Sequence, residues 1–426
     1  MTDTVQCIGC GLCSSYDATK QLQLCQKTGT FTPLGNQIVS VTHRCPVTIN
    51  YKTLYNDYYQ IRSAPDQLGV VQGVYTASAV DDDIRRASAS GGVISSVLIH
   101  LLTEKIVDAV IIAYQPENRN FADVTPIIVT DPKAITSYSG SVYTTVPMLK
   151  IISELDEHKR YAMTLIPEQA ATLRQLQLDG DIKANAVQFV AGLMTGTTLT
   201  ASSIDFLLKR EKAKASQITS FKWRYGDWPG SLRIGLNDGR LIEHEKIYYN
   251  FLIPSFIAPH SLGSHDFYNE FSDISIGDAW DSDLERRKRG ISLLITRSSI
   301  GTKIINDMTN KNILQTSGIN HGYAQRMHAH MYEFKKRGSF IRTKVLSLDG
   351  IPNFGSGYSI KSLNYKRVLV ERLLSFIMRF AQSKLYLRLL EIIPLEFIGP
   401  IFNYLRLRWK KGTVKIKRHS EVLIKW

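Results

Sequence analysis

No cysteine occurs beyond Cys45 in a chain of 426 residues; the five present are Cys7, Cys10, Cys13, Cys25 and Cys45. An odd set crowded at one end makes a poor disulfide framework, so metal ligation is the better reading. No apolar run follows a basic start at the N-terminus, which argues against a secretory leader. No stretch of about 18 uncharged apolar residues is present, so a spanning helix is not expected. Internal repeats and low-complexity tracts are missing as well. These absences predict a cytoplasmic protein of two or three domains. Its 44% hydrophobic and 21% charged residues are ordinary globular material.

Acidic residues are scarce in one place. From Lys361 to Trp426 there are 15 Lys+Arg and 4 Asp+Glu, a net of +11 out of the total of +14, which leaves only +3 for the rest of the chain. Charge confined to a terminal segment describes an appendage with an acidic partner, not a basic domain. Within it, Leu369, Leu373, Phe376, Ile377 and Phe380 share one helical face, flanked by Arg372 and Arg379. Lys384 and Arg388 continue the basic edge, Pro394 and Pro400 are expected to break the helix, and Arg406, Arg408, Trp409, Lys410 and Lys411 follow. A cationic, aromatic-bearing amphipathic helix suits an anionic membrane interface, so peripheral association with the inner membrane is expected. The alternative is that this face packs on the protein's own body or on a partner. No nucleic-acid-binding module accompanies the charge, and nucleic acid is not expected.

The N-terminal segment reads Cys7-Ile8-Gly9-Cys10-Gly11-Leu12-Cys13, with Cys45-Pro46 after a gap. This is the ferredoxin ligand pattern for a [4Fe-4S] cluster. Iron takes soft thiolates, and two-residue spacing lets successive sulfurs reach different corners of one cube. Gly9 and Gly11 permit a tight backbone whose amides can point at the sulfurs. Cys45 is preferred over Cys25 as fourth ligand because Pro46 follows it. A zinc site on the same cysteines is the alternative, although zinc sites usually come as two C-x2-C pairs.

The remainder predicts an α+β or α/β body. Tyr51 to Ala64 reads as a helix and connector, 70–76 as a strand, and the aspartates 81–83 as a solvated turn. A small-residue loop, Ser88-Ala89-Ser90-Gly91-Gly92, opens an amphipathic helix; such a loop can cradle a phosphate or simply start a helix. Apolar runs at 107–113, 161–166 and 186–193 are expected strands, as are 273–280 and 291–296, the latter the last core strand. Residues 221–230 read as an aromatic hairpin region. His100 is expected to be a core histidine, and Asp278 serves a Gly-Asp turn as readily as catalysis.

The motifs CIGCGLC, the remote CP, SASGGVISSVLIHLL, YSGSVY, TLIPEQAATLRQL, AGLMTG, WRYGDWPGSLRI and SDISIGDAW run in one order over about residues 5–340. In that order they resemble the beta-subunit family of the factor-420 hydrogenases and dehydrogenases. They are also similar to relatives found in bacterial exopolysaccharide and capsule clusters. The resemblance implies a ferredoxin-like segment (1–50), an N-terminal α/β domain (65–155), a C-terminal domain (156–345) and, outside the family pattern, the basic helical tail (346–426). It implies an iron-sulfur flavoprotein with FAD near Ser90, Gly91 and Gly92; the residues themselves leave FMN and the deazaflavin coenzyme open. Tyr138, Gly140, Ser141 and Tyr143 match a family stretch without a derivable role. Electrons would pass between the cluster, the flavin and a redox partner or small-molecule donor, next to polysaccharide-assembly enzymes. Four family cysteines of a second cluster appear here as Glu168, Met194, Ser261 and Ser264, which are poor replacements for thiolates on iron. Two functions therefore compete: a flavin oxidoreductase with one cluster, or a degenerate accessory of polysaccharide assembly.

Overall fold

The computed structural model describes residues 7–16, 22–25, 30–33, 44–62, 65, 67–116, 124–246, 250–286, 288–348, 351, 354, 359–419 and 422–425. Fifteen strands occur among them. Two short ones, β1 (Leu22–Cys25) and β2 (Thr30–Pro33), form an antiparallel pair. The body is built on β3 (Gly73–Ala79), β4 (Ala109–Tyr114), β5 (Thr125–Val129), β6 (Tyr161–Leu165) and β7 (Val187–Leu193). An antiparallel meander follows, β8 (Ile218–Tyr225), β9 (Ser231–Leu236) and β10 (Leu241–Glu245). Then β11 (Ile274–Asp278), β12 (Ser292–Thr296) and β13 (Leu314–Gly318) return to the body, and β14 (Ser359–Leu363) pairs with β15 (Val422–Lys425) in the tail.

Eight strands form one mixed sheet in the order β13-β3-β12-β11-β7-β6-β4-β5. The pairings among β11, β7, β6 and β4 are parallel, and those toward both edges are antiparallel. The central strands are buried on both faces, which is why they read as continuous apolar runs. Alternate residues of β4 serve opposite cores: Val110 and Ile112 pack with Val97, Leu98 and Leu101 of the helix Val93–Thr103, and Ile111 packs with Ala170, Leu173 and Leu176 of the helix Pro167–Leu178. Ile8, Leu12, Ile49 and Leu54 join the second of these cores and seat the thiol segment on the body. One sheet thus takes strands from both halves of the expected 65–345 body. Buried ion pairs lock it. Arg174 and Asp273 meet at 2.8 Å, and the same carboxylate accepts the Val190 amide at 2.7 Å.

Three local expectations are corrected. The aspartates at 81–83 do not form a turn: Asp81 caps the helix Asp82–Ala87 through the amides of Asp83 and Ile84, and the other two acids fill its first turn, where the helix dipole favours them. β12 is not the last strand, because the polar segment Leu314–Gly318 adds β13 at the sheet edge. Pro400 does not break its helix; Leu395–His419 continues through it, at the loss of one backbone donor. Pro394 does separate that helix from the preceding one, Lys384–Ile392.

The tail also carries the helix Tyr365–Ala381. Its Glu371 is fully buried between Arg342, at 2.7 Å, and Arg367. Leu390, Leu395 and Ile398 enter the core of the β8–β10 meander, and Lys209 pairs with Glu391 at 2.7 Å.

Candidate functional site

The thiol segment turns where glycine permits it. Gly9 and Gly11 take φ of +69° and +88°, in the left-handed region that other residues avoid. The turns aim backbone amides at sulfur: Gly9 N–H lies 3.2 Å from Cys7 Sγ, Leu12 donates toward Cys10, and Val47 and Thr48 donate toward Cys45. Cys7, Cys10, Cys13 and Cys45 lie within electrostatic range of one another. Burial pushes the Cys7 thiol up to about 12 and raises Cys10 well above its ordinary range, and the neighbouring thiols add to both shifts. Among the described residues no three His, Cys, Asp or Glu side chains converge on a single metal ion. The side chain of Cys25 lies outside the described residues.

A Cβ on Gly11 would stand 2.8 Å from Lys150 N and 2.9 Å from Pro147 O, beside the strained φ. Gly11→Ala is therefore expected to destabilise the protein by about 3 kcal/mol. The measurement is a urea midpoint compared with that of Gly239→Ala, a glycine at φ +85° with nothing near the new Cβ.

The second feature is a cavity of ≈ 910 Å³. All four parallel strands end in it: Ile112 and Ala113 of β4, Thr164 and Ile166 at β6, Leu193 to Leu199 after β7, and Ile276 to Asp278 of β11. Ligands of open α/β sheets sit at these carboxyl ends, where loops diverge and helices begin. Ser90 and Gly92 line the cavity at the start of the helix Val93–Thr103, where Gly92 takes φ +76°. Gly91 does not fit the expected role. Its amide donates to Ser292 Oγ at 3.1 Å, and a Cβ there would stand 2.6 Å from Ala77 O. Glycine is required at 91 by close packing on the sheet. Tyr138, Gly140, Ser141 and Tyr143, which had no derivable role, all line the cavity.

Charged groups converge here from distant segments. Arg224 of β8 pairs with Asp278 at 2.8 Å, and Trp228 Nε1 donates to the same carboxylate at 3.2 Å. Burial alone would raise the Asp278 carboxyl, but Arg224, Lys246 and the bonds from Ser90 and Trp228 hold it below its ordinary value. Lys246 stands 4.4 Å over the Trp280 ring, and burial with the nearby Arg224 brings its ammonium down to about 7. His328 Nε2 lies 2.6 Å from Asp278 O, and burial lowers its imidazole to about 4. The tail helix Leu395–His419 adds Asn403, Arg406, Leu407 and Lys410 to the wall. Cations outnumber acids around the cavity, which suits an anionic ligand. Sequence reading named Asp278 without assigning it a role and missed Lys246 and His328; the aromatic-glycine run at 221–230 was the one signal beside Arg224.

The thiols and the cavity share a segment. Leu149 N–H donates to Cys10 O at 2.9 Å, while Val146 and Met148 line the cavity. His100 is elsewhere, buried in its helix and paired with Asp307 at 3.1 Å, a core histidine as expected.

The four positions where the family pattern has second-cluster cysteines, Glu168, Met194, Ser261 and Ser264, make internal contacts. Ser264 donates to Glu168, and Ser261 Oγ accepts the Thr198 amide at 2.9 Å. Burial raises the Glu168 carboxyl against the pull of Lys335. Met194 packs on Gly277 at the cavity wall. Hydroxyls, a thioether and a hydrogen-bonded carboxylate do not fit a cluster's thiolate set.

Comparison with known proteins decides the family. The model described as "Coenzyme F420 hydrogenase/dehydrogenase, beta subunit N-term" matches residues 74–153, and its C-terminal counterpart matches 158–321. The chain belongs to this family. Among curated relatives it is similar to the coenzyme F420 hydrogenase subunit beta of Methanococcus voltae, 21% identical over 257 residues, covering 57% of this chain and 83% of that protein. Among solved structures it is similar to a chain of the xenon-derivatised F420-reducing [NiFe] hydrogenase complex from Methanosarcina barkeri. The TM-score is 0.53 at 14% identity, over 68% of this chain and 97% of that one, a likeness of fold. The beta-subunit match ends at His321, so the tail helix that lines one side of the cavity lies outside it.

Proposed function

We propose that this beta-subunit family member is an iron-sulfur flavoprotein oxidoreductase. Its one [4Fe-4S] cluster would be held by Cys7, Cys10, Cys13 and Cys45, and a flavin, FAD by family likeness, would occupy the ≈ 910 Å³ cavity. One observation carries the reading: the segment Val146–Leu149 joins the thiol loop to the cavity wall. Four thiols within electrostatic range of one another suit a cube, whose ligands spread over separate irons. Amides directed at the sulfurs would stabilise the thiolates. A flavin at this position would exchange single electrons with the cluster and pairs of electrons with a substrate.

The chain's own residues have separable tasks. Ser90 and Gly92 form the cavity edge at a helix start, which attracts a phosphate. Arg406 and Lys410 add positive charge for the same group. The Arg224–Asp278 pair fixes the β11 end, and Lys246, titrating near neutrality, can hold or release a proton at the cavity wall. A place in exopolysaccharide or capsule synthesis is supported by the order of motifs shared with relatives from such clusters.

An inventory after anaerobic purification tests the proposal: about four irons, about four sulfides and about one flavin per chain are expected, with the visible colour bleached by reductant. Iron without flavin would defeat the oxidoreductase and favour an accessory protein, a reading to which the filled second-cluster positions lend support.

A further inference from the structure

The helix Tyr365–Ala381 is amphipathic in the wrong sense for water. Its buried side carries Arg367, Glu371 and Ser375, while Leu369, Leu373, Phe376 and Phe380 face outward, Phe376 at 65% exposure. The two helices after it continue the pattern, with Ile392 at 79% and Phe397 at 62%. An apolar surface this continuous is not left to solvent without a use.

Charge indicates what covers it. Lys366, Arg372, Arg379, Lys384, Arg388 and Arg408 are exposed along the same helices. Two of the acids that might balance them are used internally: Glu371 is buried against Arg342 and Arg367, and Glu391 pairs with Lys209, so Glu396 is the one exposed acid on these three helices against these six exposed cations. No helix among the described residues is long and apolar enough to cross a bilayer. Apolar residues edged by an excess of cations, on helices too short or too polar to insert across, match the headgroup region of an anionic bilayer.

We propose that the three tail helices bind an anionic phospholipid surface with their outward apolar face. The inference is independent of the cluster and the flavin. It has one consequence for the cavity: Leu407 is 51% exposed and also lines the wall, so docking brings the cavity's tail side to the lipid.

Sedimentation of the full chain with vesicles tests this. Binding is expected to phosphatidylcholine vesicles containing phosphatidylglycerol, and to weaken as salt screens the cations. Phe376→Gln/Phe380→Gln/Phe397→Gln alters exposed positions only and should keep the circular dichroism of the parent while losing about 100-fold or more in partitioning. Arg372→Gln/Arg379→Gln should lose about 30-fold, roughly fivefold per arginine. The proposal is overturned if the parent stays in the supernatant with anionic vesicles, or if the phenylalanine variant sediments as the parent does. It is equally overturned if the parent ignores vesicles and forms a dimer that the phenylalanine substitutions dissociate, which would make a second copy the occupant.

Discussion

A Cys45→Ser variant, purified anaerobically, is expected to retain less than about one iron per chain where the parent holds about four. Three of the four thiols come from one tight loop, and Cys45 alone approaches from a separate segment, with the amides of Val47 and Thr48 directed at its sulfur. A serine hydroxyl is a hard, poorly ionised donor that cannot stand in for thiolate on iron. Cys25→Ser is the control and should keep full iron and colour. If instead Cys25→Ser empties the site and Cys45→Ser does not, the ligand assignment is wrong. Either result reads directly from iron analysis and the visible spectrum, without an activity assay.

The second large effect is on stability. Glu371→Gln is expected to cost roughly 3–5 kcal/mol, because it strands the buried Arg342 guanidinium and leaves Arg367 only the more distant Glu333 carboxylate at 3.9 Å. Arg342, Arg367 and Glu371 are all at 1% exposure or less, and Arg342 also donates to Phe334 O at 2.6 Å. The cost should appear as a lower urea midpoint. Replacing all three charges together by Met and Leu should recover most of it, since no ion is then left unpaired. Persistence of the full loss in the triple variant would refute the ionic explanation. The pair also predicts a pH dependence. Burial would raise the Glu371 carboxyl, but Arg342 and Arg367 outweigh it and hold it below its ordinary value. The stabilisation is therefore complete above the unfolded value of about 4.3 and is lost as pH falls through the lower folded value. Acid unfolding of the Gln variant should lack that component.

What was legible in the sequence has local causes. β6 and β7 are buried on both faces, and a continuous apolar run is the mark such a strand leaves. β13 left no such mark, since its Leu-Gln-Thr-Ser-Gly sequence sits at an edge with one buried residue. The Ser/Gly loop was visible, but the purposes of its glycines were not: Gly92 turns the chain into a helix, whereas Gly91 yields room to Ala77 and Ser292. Sequence alone could not separate these, because the neighbours that forbid a side chain at 91 come from two other strands, Ala77 of β3 and Ser292 of β12, brought together only by the sheet.

The sequence by itself determined the spacing of Cys7, Cys10 and Cys13, the apolar strands of the core and the cationic amphipathic tail, because each is written in residues a few positions apart. Only tertiary structure gathered Arg224, Lys246, Asp278, His328 and Lys410 around one cavity, and turned the tail's apolar side outward. Those arrangements depend on which surfaces meet when the sheet closes, and contact between distant segments leaves no period in the chain.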